Sequence, residues 1–251
     1  MTSQKSKSCV IIPARYKSSR FPGKPLAKIQ NKPMIIWVAE LSAKAVGKSH
    51  VYIATDDKRI SEVVNKEGYQ TIITSSNCLT GTDRIAEASK KLSYEIIVNV
   101  QGDEPLVDPN DIKKCISIKE ENPKKVINGF SWINKNEDPE NINIPKVVTN
   151  EKNELIYMSR KALPAKKDIL KEEPRYKKQV CIYAISPYEL NLFYKYGKKS
   201  FLEKYEDIEL LRFLELDIKI MMYECSKSSI AVDLPSDIQR VEDFLNKTNE
   251  K

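Results

Sequence analysis

Residues 9–25 read Cys9-Val-Ile-Ile-Pro-Ala-Arg-Tyr-Lys-Ser-Ser-Arg-Phe-Pro-Gly-Lys-Pro25, an apolar run of strand length followed by a basic loop. Further strand-like runs follow in the first half, and stretches with helical periodicity separate them. The runs span residues 51–55, 71–74 and 96–100, and the helical stretches span residues 33–45, 60–67 and 83–91. Strands that alternate with helices in this way predict an α/β fold with a mostly parallel sheet.

The second half of the chain is less regular. Its patterns predict strands over residues 146–149, 155–158, 179–184 and 219–223, and helices over residues 187–196, 205–216 and 235–247. We expect this half to extend the sheet and to supply an acceptor pocket or a subunit contact. No change of composition marks a second domain in the 251 residues.

The composition narrows the class of protein. The net charge of +7 comes from 42 basic and 35 acidic residues, and the basic residues are scattered along the chain instead of forming a patch. This distribution argues against a nucleic-acid partner. The five cysteines form no CxxC pair, and the chain has no apolar run of 18 residues. We therefore expect a cytoplasmic protein with free thiols and no membrane partner.

The basic loop is the first candidate for ligand binding, because ligands of such sheets bind beyond the carboxyl ends of the strands. It carries the cations Arg15, Lys17, Arg20 and Lys24 and small donors that include Ser19. These groups suit a triphosphate, although a solvated basic turn is the alternative. The Walker motif GxxxxGK[ST] and the motif GxGxxG are both absent from the sequence, which disfavours kinases and dinucleotide-binding proteins.

Two carboxylates are candidates for a magnesium site. Asp103 directly follows the strand-like run 96–100, and Asp233 lies in Ile230-Ala-Val-Asp-Leu-Pro235. Mg²⁺ binds one or two carboxylates and completes its shell with phosphate oxygens and water. Asp233 could instead cap the following helix. The single histidine, His50, rules out Ser-His and Cys-His hydrolase chemistry, so metal, cations and carboxylates remain, which is sufficient for nucleotidyl transfer.

Several ordered motifs resemble the 3-deoxy-manno-octulosonate (Kdo) cytidylyltransferases, or CMP-Kdo synthetases, across residues 8–244. They are residues 11–26, 54–57, 80–87 (Thr-Gly-Thr-Asp-Arg-Ile-Ala-Glu), 98–105 (Val-Asn-Val-Gln-Gly-Asp-Glu-Pro), 157–160 and 232–237. The resemblance implies a three-layer, mostly parallel mixed sheet of the nucleotide-diphospho-sugar transferase, or glycosyltransferase-A-like, fold. It also implies transfer of CMP from CTP to an acidic sugar with release of pyrophosphate.

The resemblance also implies roles for particular residues. Arg15 and Lys24 would bind the triphosphate and take part in catalysis, and Asp103 and Asp233 would hold Mg²⁺. Nucleotide contacts would come from the loop that contains Ser19 and from Thr80, Gly81, Thr82, Arg84 and Gln101. The acceptor sugar would be contacted by Gln101, Arg160, Gln179, Tyr183, Glu206 and Glu209, with Arg160 facing its carboxylate.

Two departures from the family pattern fall in the acceptor half. The pattern His-x-Gly-Ile-Tyr is Gln179-Val-Cys-Ile-Tyr183 here, and Leu210 stands where a polar sugar contact is expected. Kdo is therefore the first acceptor to consider, and 8-amino-Kdo, a nonulosonic acid or a phosphorylated acceptor remain alternatives. A nucleotidyltransferase for another base and a non-catalytic nucleotide-binding protein are the further alternatives.

The resemblance implies a single domain over residues 1–251 and a homodimer. Residues 8–145 would form the nucleotide-binding half, and residues 146–247 would form the acceptor-binding and dimerisation half. The product would enter the synthesis of lipopolysaccharide or of a capsule.

Overall fold

A computed structural model describes residues 6–18, 20–165, 167, 174–226 and 230–249, with side chains as far as Lys247. The strands are β1 Ser8–Ala14, β2 Lys28–Ile29, β3 Lys32–Pro33, β4 Val51–Thr55, β5 Gln70–Ile73, β6 Ile96–Val100, β7 Val126–Trp132, β8 Lys146–Thr149, β9 Leu155–Ser159, β10 Lys177–Ile185 and β11 Ile220–Glu224. The helices are α1 Met34–Val46, α2 Lys58–Lys66, α3 Gly81–Ser89, α4 Pro109–Glu121, α5 Pro187–Lys195, α6 Phe201–Glu206, α7 Leu210–Glu215 and α8 Pro235–Asn249. No helix among the described residues is long and apolar enough to cross a membrane.

One large mixed sheet organises the described part of the chain. Its strand order is β11-β7-β10-β6-β1-β4-β5, and β8 and β9 extend it from β10. Strands β6, β1, β4 and β5 are parallel, whereas β10 is antiparallel to both β6 and β7. The sheet therefore combines strands from both halves of the chain, and the predicted α/β class with a mostly parallel mixed sheet is confirmed.

Helices cover both faces of the sheet and enclose two apolar cores. On one face α3, α5 and α7 pack against side chains such as Ile11 and Tyr183. On the other face α1, α2 and α4 pack against side chains such as Ile12 and Ile182. Neighbouring residues of one strand thus enter different cores, as the alternation of side chains along a strand requires.

The strand order reverses at β1, which lies between β4 on one side and β6 on the other. A crevice opens at such a reversal, beyond the carboxyl ends of the strands. The two loops beside it are the basic loop that follows β1 and the Gln101-Gly-Asp103 loop that follows β6. The parallel register, with Ile11 opposite Asn99, brings the starts of these loops side by side.

The predicted helix over residues 205–216 is wrong, because α6 and α7 are separate helices. Asp207 ends α6 in the left-handed conformation with φ 49°, which a continuous helix cannot accommodate. The other predicted helices and strands are present, with ends that shift by one or two residues at most positions. Helix α4, strand β7 and the short strands β2 and β3 were not predicted from the sequence.

Candidate active site

Lys24 joins the two predicted metal carboxylates at the crevice. Its Nζ lies 2.7 Å from Asp103 Oδ2 and 3.7 Å from Asp233 Oδ1. Arg20 approaches from the solvent side and places Nη2 3.0 Å from Asp233 Oδ1. We call these four residues, Lys24, Arg20, Asp103 and Asp233, the Lys–Asp cluster. The cluster unites the two halves of the chain, as the sequence predicted for Asp103 and Asp233.

Backbone contacts hold the loops of this cluster in place. The Val232 amide donates to the Asp103 carbonyl at 2.9 Å, and Lys24 Nζ donates to the Val232 carbonyl at 3.0 Å. Gly102 allows a close approach to β1, since a Cβ there would lie 3.0 Å from the Pro13 carbonyl oxygen, tighter than most Cβ contacts. The Gly102 backbone can therefore pack directly on β1, which fixes the position of the neighbouring Asp103.

Asp233 directs its side chain to the site and does not cap α8. Its Oδ1 pairs with Arg20 and Lys24, while Asp237, inside the first turn of α8, accepts the amide hydrogens of Asp233 and Leu234 with Oδ2, each at 2.9 Å. The alternative interpretation of Asp233 as a helix cap is therefore excluded in this structure.

The cluster fits a small hard cation. Two carboxylates converge on one positive charge, the Lys24 ammonium, so a cation placed there would meet oxygen ligands from both. Among the described residues no group of three or more His, Cys, Asp or Glu side chains could enclose a metal. A site with two carboxylates suits a metal that draws its remaining ligands from a bound triphosphate and water.

Arg15 is not one of the four residues of the Lys–Asp cluster; it lies directly after β1 and is exposed. It is close enough to Asp207 to help to lower the pKa of that carboxyl. The largest cause of the lowered pKa is a hydrogen bond from Lys199, and Arg160 contributes as well. Arg15 therefore lies within electrostatic range of Asp207, which ends α6. Ser19, also predicted to contact the nucleotide, lies outside the described residues.

The first turn of α3 is anchored by Glu209. The carboxylate accepts the amide hydrogens of Gly81 and Thr82, each at 2.9 Å, and Thr80 caps the helix through its bond to the Asp83 amide. Burial raises the pKa of Glu209, and the hydrogen bonds from Thr82 and Gly81 oppose that rise. The sequence analysis predicted a substrate contact for Glu209 and missed its role in fixing α3.

Gln101 lies beside this helix terminus. A Cβ built on Gly81 would lie 3.3 Å from both Gln101 Nε2 and Glu209 Oε1, so Gly81 leaves room for all three groups to meet. Arg84, in contrast, is buried: it donates to Thr74 Oγ1 at 2.6 Å and lies 3.3 Å from Asp56. The structure thus brings Gly81 and Gln101 together and directs Arg84 into the protein.

On the acceptor side, Gln179 and Tyr183 meet on β10, where Gln179 Nε2 donates to Tyr183 Oη at 3.0 Å. Glu206 accepts from Ser159 Oγ at 2.9 Å and from the Arg160 amide at 2.8 Å, which connects α6 to β9. Leu210 is 1% exposed and packs in the core, so this position offers no polar group to an acceptor.

The Arg160 guanidinium is held by main-chain carbonyls. Its Nε donates to Glu206, its Nη1 to Ile142 at 2.8 Å and its Nη2 to Asp207 at 2.9 Å. A guanidinium has five N–H groups, so two remain for a ligand carboxylate. The structure therefore shows Arg160 as a rigid link between β9 and the end of α6, and its contact with an acidic acceptor stays a prediction.

A doubly covered mixed sheet with this cluster at its crevice is the arrangement that a nucleotidyltransferase requires. A family model described as cytidylyltransferase matches residues 9–220. The chain belongs to the cytidylyltransferase family, so the predicted class of enzyme, a CTP-dependent nucleotidyltransferase, is confirmed.

Similar proteins carry names that agree with this family. A 3-deoxy-manno-octulosonate cytidylyltransferase of Syntrophotalea carbinolica is 38% identical over 94% of this chain and 97% of its own. An 8-amino-3,8-dideoxy-manno-octulosonate cytidylyltransferase of Shewanella baltica is 39% identical with the same shares covered. The resemblance to the Kdo cytidylyltransferases is thereby confirmed.

Solved structures show the same fold. CMP:2-keto-3-deoxy-manno-octonic acid synthetase in complex with CTP is 34% identical, has a TM-score of 0.88, and covers 97% of this chain and 100% of its own. The inositol-1-phosphate CTP transferase of T. maritima is only 16% identical, with a TM-score of 0.70 and 96% of each chain covered. The second similarity concerns the fold alone, and the predicted nucleotide-diphospho-sugar transferase fold is confirmed.

Proposed function

We propose that this enzyme transfers CMP from CTP to the acidic sugar Kdo, or to its 8-amino variant, and releases pyrophosphate. The observation that carries the proposal is the Lys–Asp cluster, in which Lys24 meets Asp103 at 2.7 Å at the reversal of the strand order. The names of the similar proteins, which specify both of these acceptors, support the choice of substrates.

In the proposed reaction an acceptor hydroxyl attacks the α-phosphorus of CTP. A bond forms between the hydroxyl oxygen and phosphorus, and the hydroxyl proton passes to solvent. The bond between the α-phosphorus and its bridging oxygen to the β-phosphorus breaks, and pyrophosphate leaves with that oxygen. Lys24 and Arg15 would stabilise the negative charge that grows on the leaving group. The cytosine and ribose of CTP would lie beside Gly81, Thr82 and Gln101, at the anchored start of α3.

Mg²⁺ is the metal that we propose, with Asp103 and Asp233 as its protein ligands. When bound, it would neutralise phosphate charge and make phosphorus more electrophilic. Lys24 and Arg20 occupy these carboxylates in the structure described here, so their side chains would turn from the carboxylates to the phosphates when the metal and the nucleotide bind.

Comparing acceptors at fixed CTP and Mg²⁺ tests the proposed acceptor. Pyrophosphate release would be measured with Kdo, 8-amino-Kdo, a nonulosonic acid and a sugar phosphate. We expect the highest kcat/KM with Kdo or 8-amino-Kdo. Efficient release with only one of the other acceptors would reject the proposed substrate and keep the class of enzyme.

The 8-amino variant is the second candidate acceptor, and Gln179 favours it. Gln179 stands where the family pattern has histidine, and its amide presents both a donor and an acceptor close to Tyr183. An ammonium group in place of a hydroxyl would find an acceptor in the Gln179 carbonyl oxygen. A kcat/KM for 8-amino-Kdo at least as high as that for Kdo would establish this preference.

We also propose a homodimer that forms through the second half of the chain, residues 146–247, with nucleotide binding assigned to residues 8–145. Phe201 and Tyr205 on α6 are 68% and 71% exposed, with ring centroids 5.0 Å apart, and Ile156 on β9 is 55% exposed. Large exposed apolar side chains are typical of subunit contacts.

We place the reaction in the cytoplasm, in keeping with the five free thiols, and expect the product to enter lipopolysaccharide or capsule synthesis.

A further inference from the structure

Strand β10 departs from regular pairing beside the candidate site. Val180 lies opposite Gly129 of β7, and Tyr183 lies opposite Asn128, so three steps along β10 match one step along β7. The irregularity inserts two residues, Cys181 and Ile182, into β10. We call residues 180–183 the β10 bulge. Bulges change the direction of nearby side chains and occur often next to active sites.

A bulge leaves main-chain carbonyls without partners in the ladder, and Asn128 supplies those partners. Its Nδ2 donates to the Val180 carbonyl at 2.8 Å and to the Ile182 carbonyl at 3.0 Å. Asn128 is fully buried, and its single amide nitrogen carries two hydrogens, one for each carbonyl. A side chain without this pair of donors would leave buried carbonyl groups unsatisfied.

The bulge is also connected to the loop that holds Asp103. The Cys181 carbonyl accepts the Gln101 amide hydrogen at 3.3 Å. Burial raises the pKa of the Cys181 thiol, and the carboxylates of Glu104 and Asp103 raise it further, so the thiol lies within electrostatic range of that loop. The bulge therefore adjoins the loop of Gln101 through one main-chain hydrogen bond.

The residues on either side of the bulge are those assigned to the acceptor. Gln179 precedes it, Tyr183 ends it, and the hydrogen bond of 3.0 Å between their side chains spans it. The distance between these two side chains depends on the irregular pairing of the residues between them. The geometry of the bulge thus determines where Gln179 and Tyr183 point.

We propose that Asn128 is a positioning residue for the acceptor. Its amide fixes the β10 bulge, and through the bulge it sets Gln179 and Tyr183 relative to Asp103, without itself touching a substrate. The proposal rests on the proposed function, in which Gln179 and Tyr183 contact the acceptor sugar. It predicts that Asn128 affects acceptor binding more strongly than nucleotide binding.

The test replaces Asn128 by aspartate, which has nearly the same shape but presents oxygen in place of the donating nitrogen. We expect Asn128→Asp to raise the KM for the acceptor by about tenfold or more, because the carbonyls of the bulge lose their donors. The Kd of CTP, measured by calorimetry, should change by less than about threefold, a difference below 1 kcal/mol. Asn128→Ser, which keeps one donor, should show a smaller rise.

Ile127→Val is the matched control. Ile127 is the preceding residue of β7 and is fully buried in the core that Val180 and Ile182 of the bulge also enter, so the substitution removes one methyl group beside the bulge and leaves the Asn128 hydrogen bonds in place. We expect it to lower the melting temperature and to leave the acceptor KM unchanged. An acceptor KM that stays at the wild-type value in both folded Asn128 variants, or one that rises together with the Kd of CTP, would overturn the proposal.

A readout without substrates separates this inference from the proposed function. Hydrogen exchange at the amides of residues 179–184 should be faster in the Asn128 variants than in Ile127→Val, and unchanged exchange would count against the proposal. If wild-type enzyme transfers CMP to neither Kdo nor 8-amino-Kdo, the proposed function fails, whereas the exchange experiment still decides whether Asn128 holds the bulge.

Discussion

At the scale of single residues, the contact between Lys24 and Asp103 joins two side chains that we expect to contribute more to catalysis than to stability. The side chains are 16% and 26% exposed, so solvent screens the pair, and such pairs contribute about 0–1 kcal/mol to folding. The Asp103 carboxylate is one of the two, with that of Asp233, that we propose as ligands of the metal. Its removal should therefore affect activity far more than the folded state.

Asp103→Asn is expected to lower the rate of pyrophosphate release by about 100-fold or more, because metal ligands contribute several kcal/mol to charge stabilisation. The free energy of unfolding in urea should fall by less than about 1 kcal/mol. Asp243→Asn, on the exposed side of α8 and away from the cluster, removes the same charge as a control and should keep full activity. An Asp103→Asn enzyme as active as the control would refute the metal assignment.

The Lys–Asp cluster could be predicted from the sequence because Lys24 and Asp103 follow predicted strands, and the carboxyl ends of parallel strands share one edge of a sheet. Asn128 could not. The dipeptide Asn128-Gly129 is typical of a hairpin turn, yet both residues lie inside β7. Gly129 is needed there because a Cβ would come within 2.6 Å of Cys225 Sγ, a long-range contact that no local pattern reveals.

At the scale of secondary-structure elements, the start of α2 shows how a motif residue can act locally. Asp57, from the Ala54-Thr-Asp-Asp57 motif, caps the helix by accepting the Arg59 amide hydrogen at 2.9 Å. The hydrogen bond from the Arg59 side chain lowers the pKa of Asp57 below its ordinary value of 3.8. A carboxyl with a lowered pKa stabilises the fold above its ordinary pKa and loses this contribution as the pH falls through the folded value.

Asp57→Ala should therefore destabilise the protein by about 1 kcal/mol at pH 7, since an aspartate cap is lost. The difference from wild type should persist at pH 5 and shrink only below about pH 3.8, as Asp57 itself becomes protonated. Unfolding by urea at several pH values measures this difference in the free energy of unfolding. Asp57→Asn keeps a capping oxygen and should retain most of the stability, and a loss equal to that of Asp57→Ala would contradict the capping role.

The boundaries of helices were predictable where caps and periodicity agree and not where the chain reverses direction. Ser186 and Glu189 form a capping box at the start of α5, which begins at the predicted residue, Pro187. The break at Asp207 has no glycine or proline to mark it, so the periodicity of residues 205–216 looked continuous. The missed helix α4 did carry a signal, the Asp108 cap followed by Pro109.

At the scale of the whole molecule, the strand order depends on contacts between distant parts of the chain. Strand β10 lies between β6 and β7, although β7 comes before it in sequence. Composition and local periodicity indicate the α/β class. The position of β10 between β6 and β7, in contrast, follows from long-range pairing that a single sequence does not display. The pairing of β10 with β6 brings Gln179 and Tyr183 close to the loop after β6.

The proposed dimer gives a prediction at the same scale. Replacing Phe201 and Tyr205 by serine removes two exposed aromatic rings from α6 and should convert a dimer of wild-type enzyme into a monomer at micromolar concentration. Sedimentation velocity measures the change. Replacing the exposed Ile73 of β5, in the nucleotide-binding half, by serine is the matched control and should leave the assembly intact. A wild-type protein that sediments as a monomer would contradict the proposed assembly.

The most direct test of the proposed function is ³¹P NMR of the purified enzyme with CTP, Mg²⁺ and either Kdo or 8-amino-Kdo. The proposed function predicts that the triphosphate signals disappear while equal amounts of pyrophosphate and of a phosphodiester, the CMP-sugar, appear. Omission of the sugar should leave CTP intact, and UTP in place of CTP should react far more slowly. Unchanged CTP with both sugars, or release of pyrophosphate without a phosphodiester product, would contradict it.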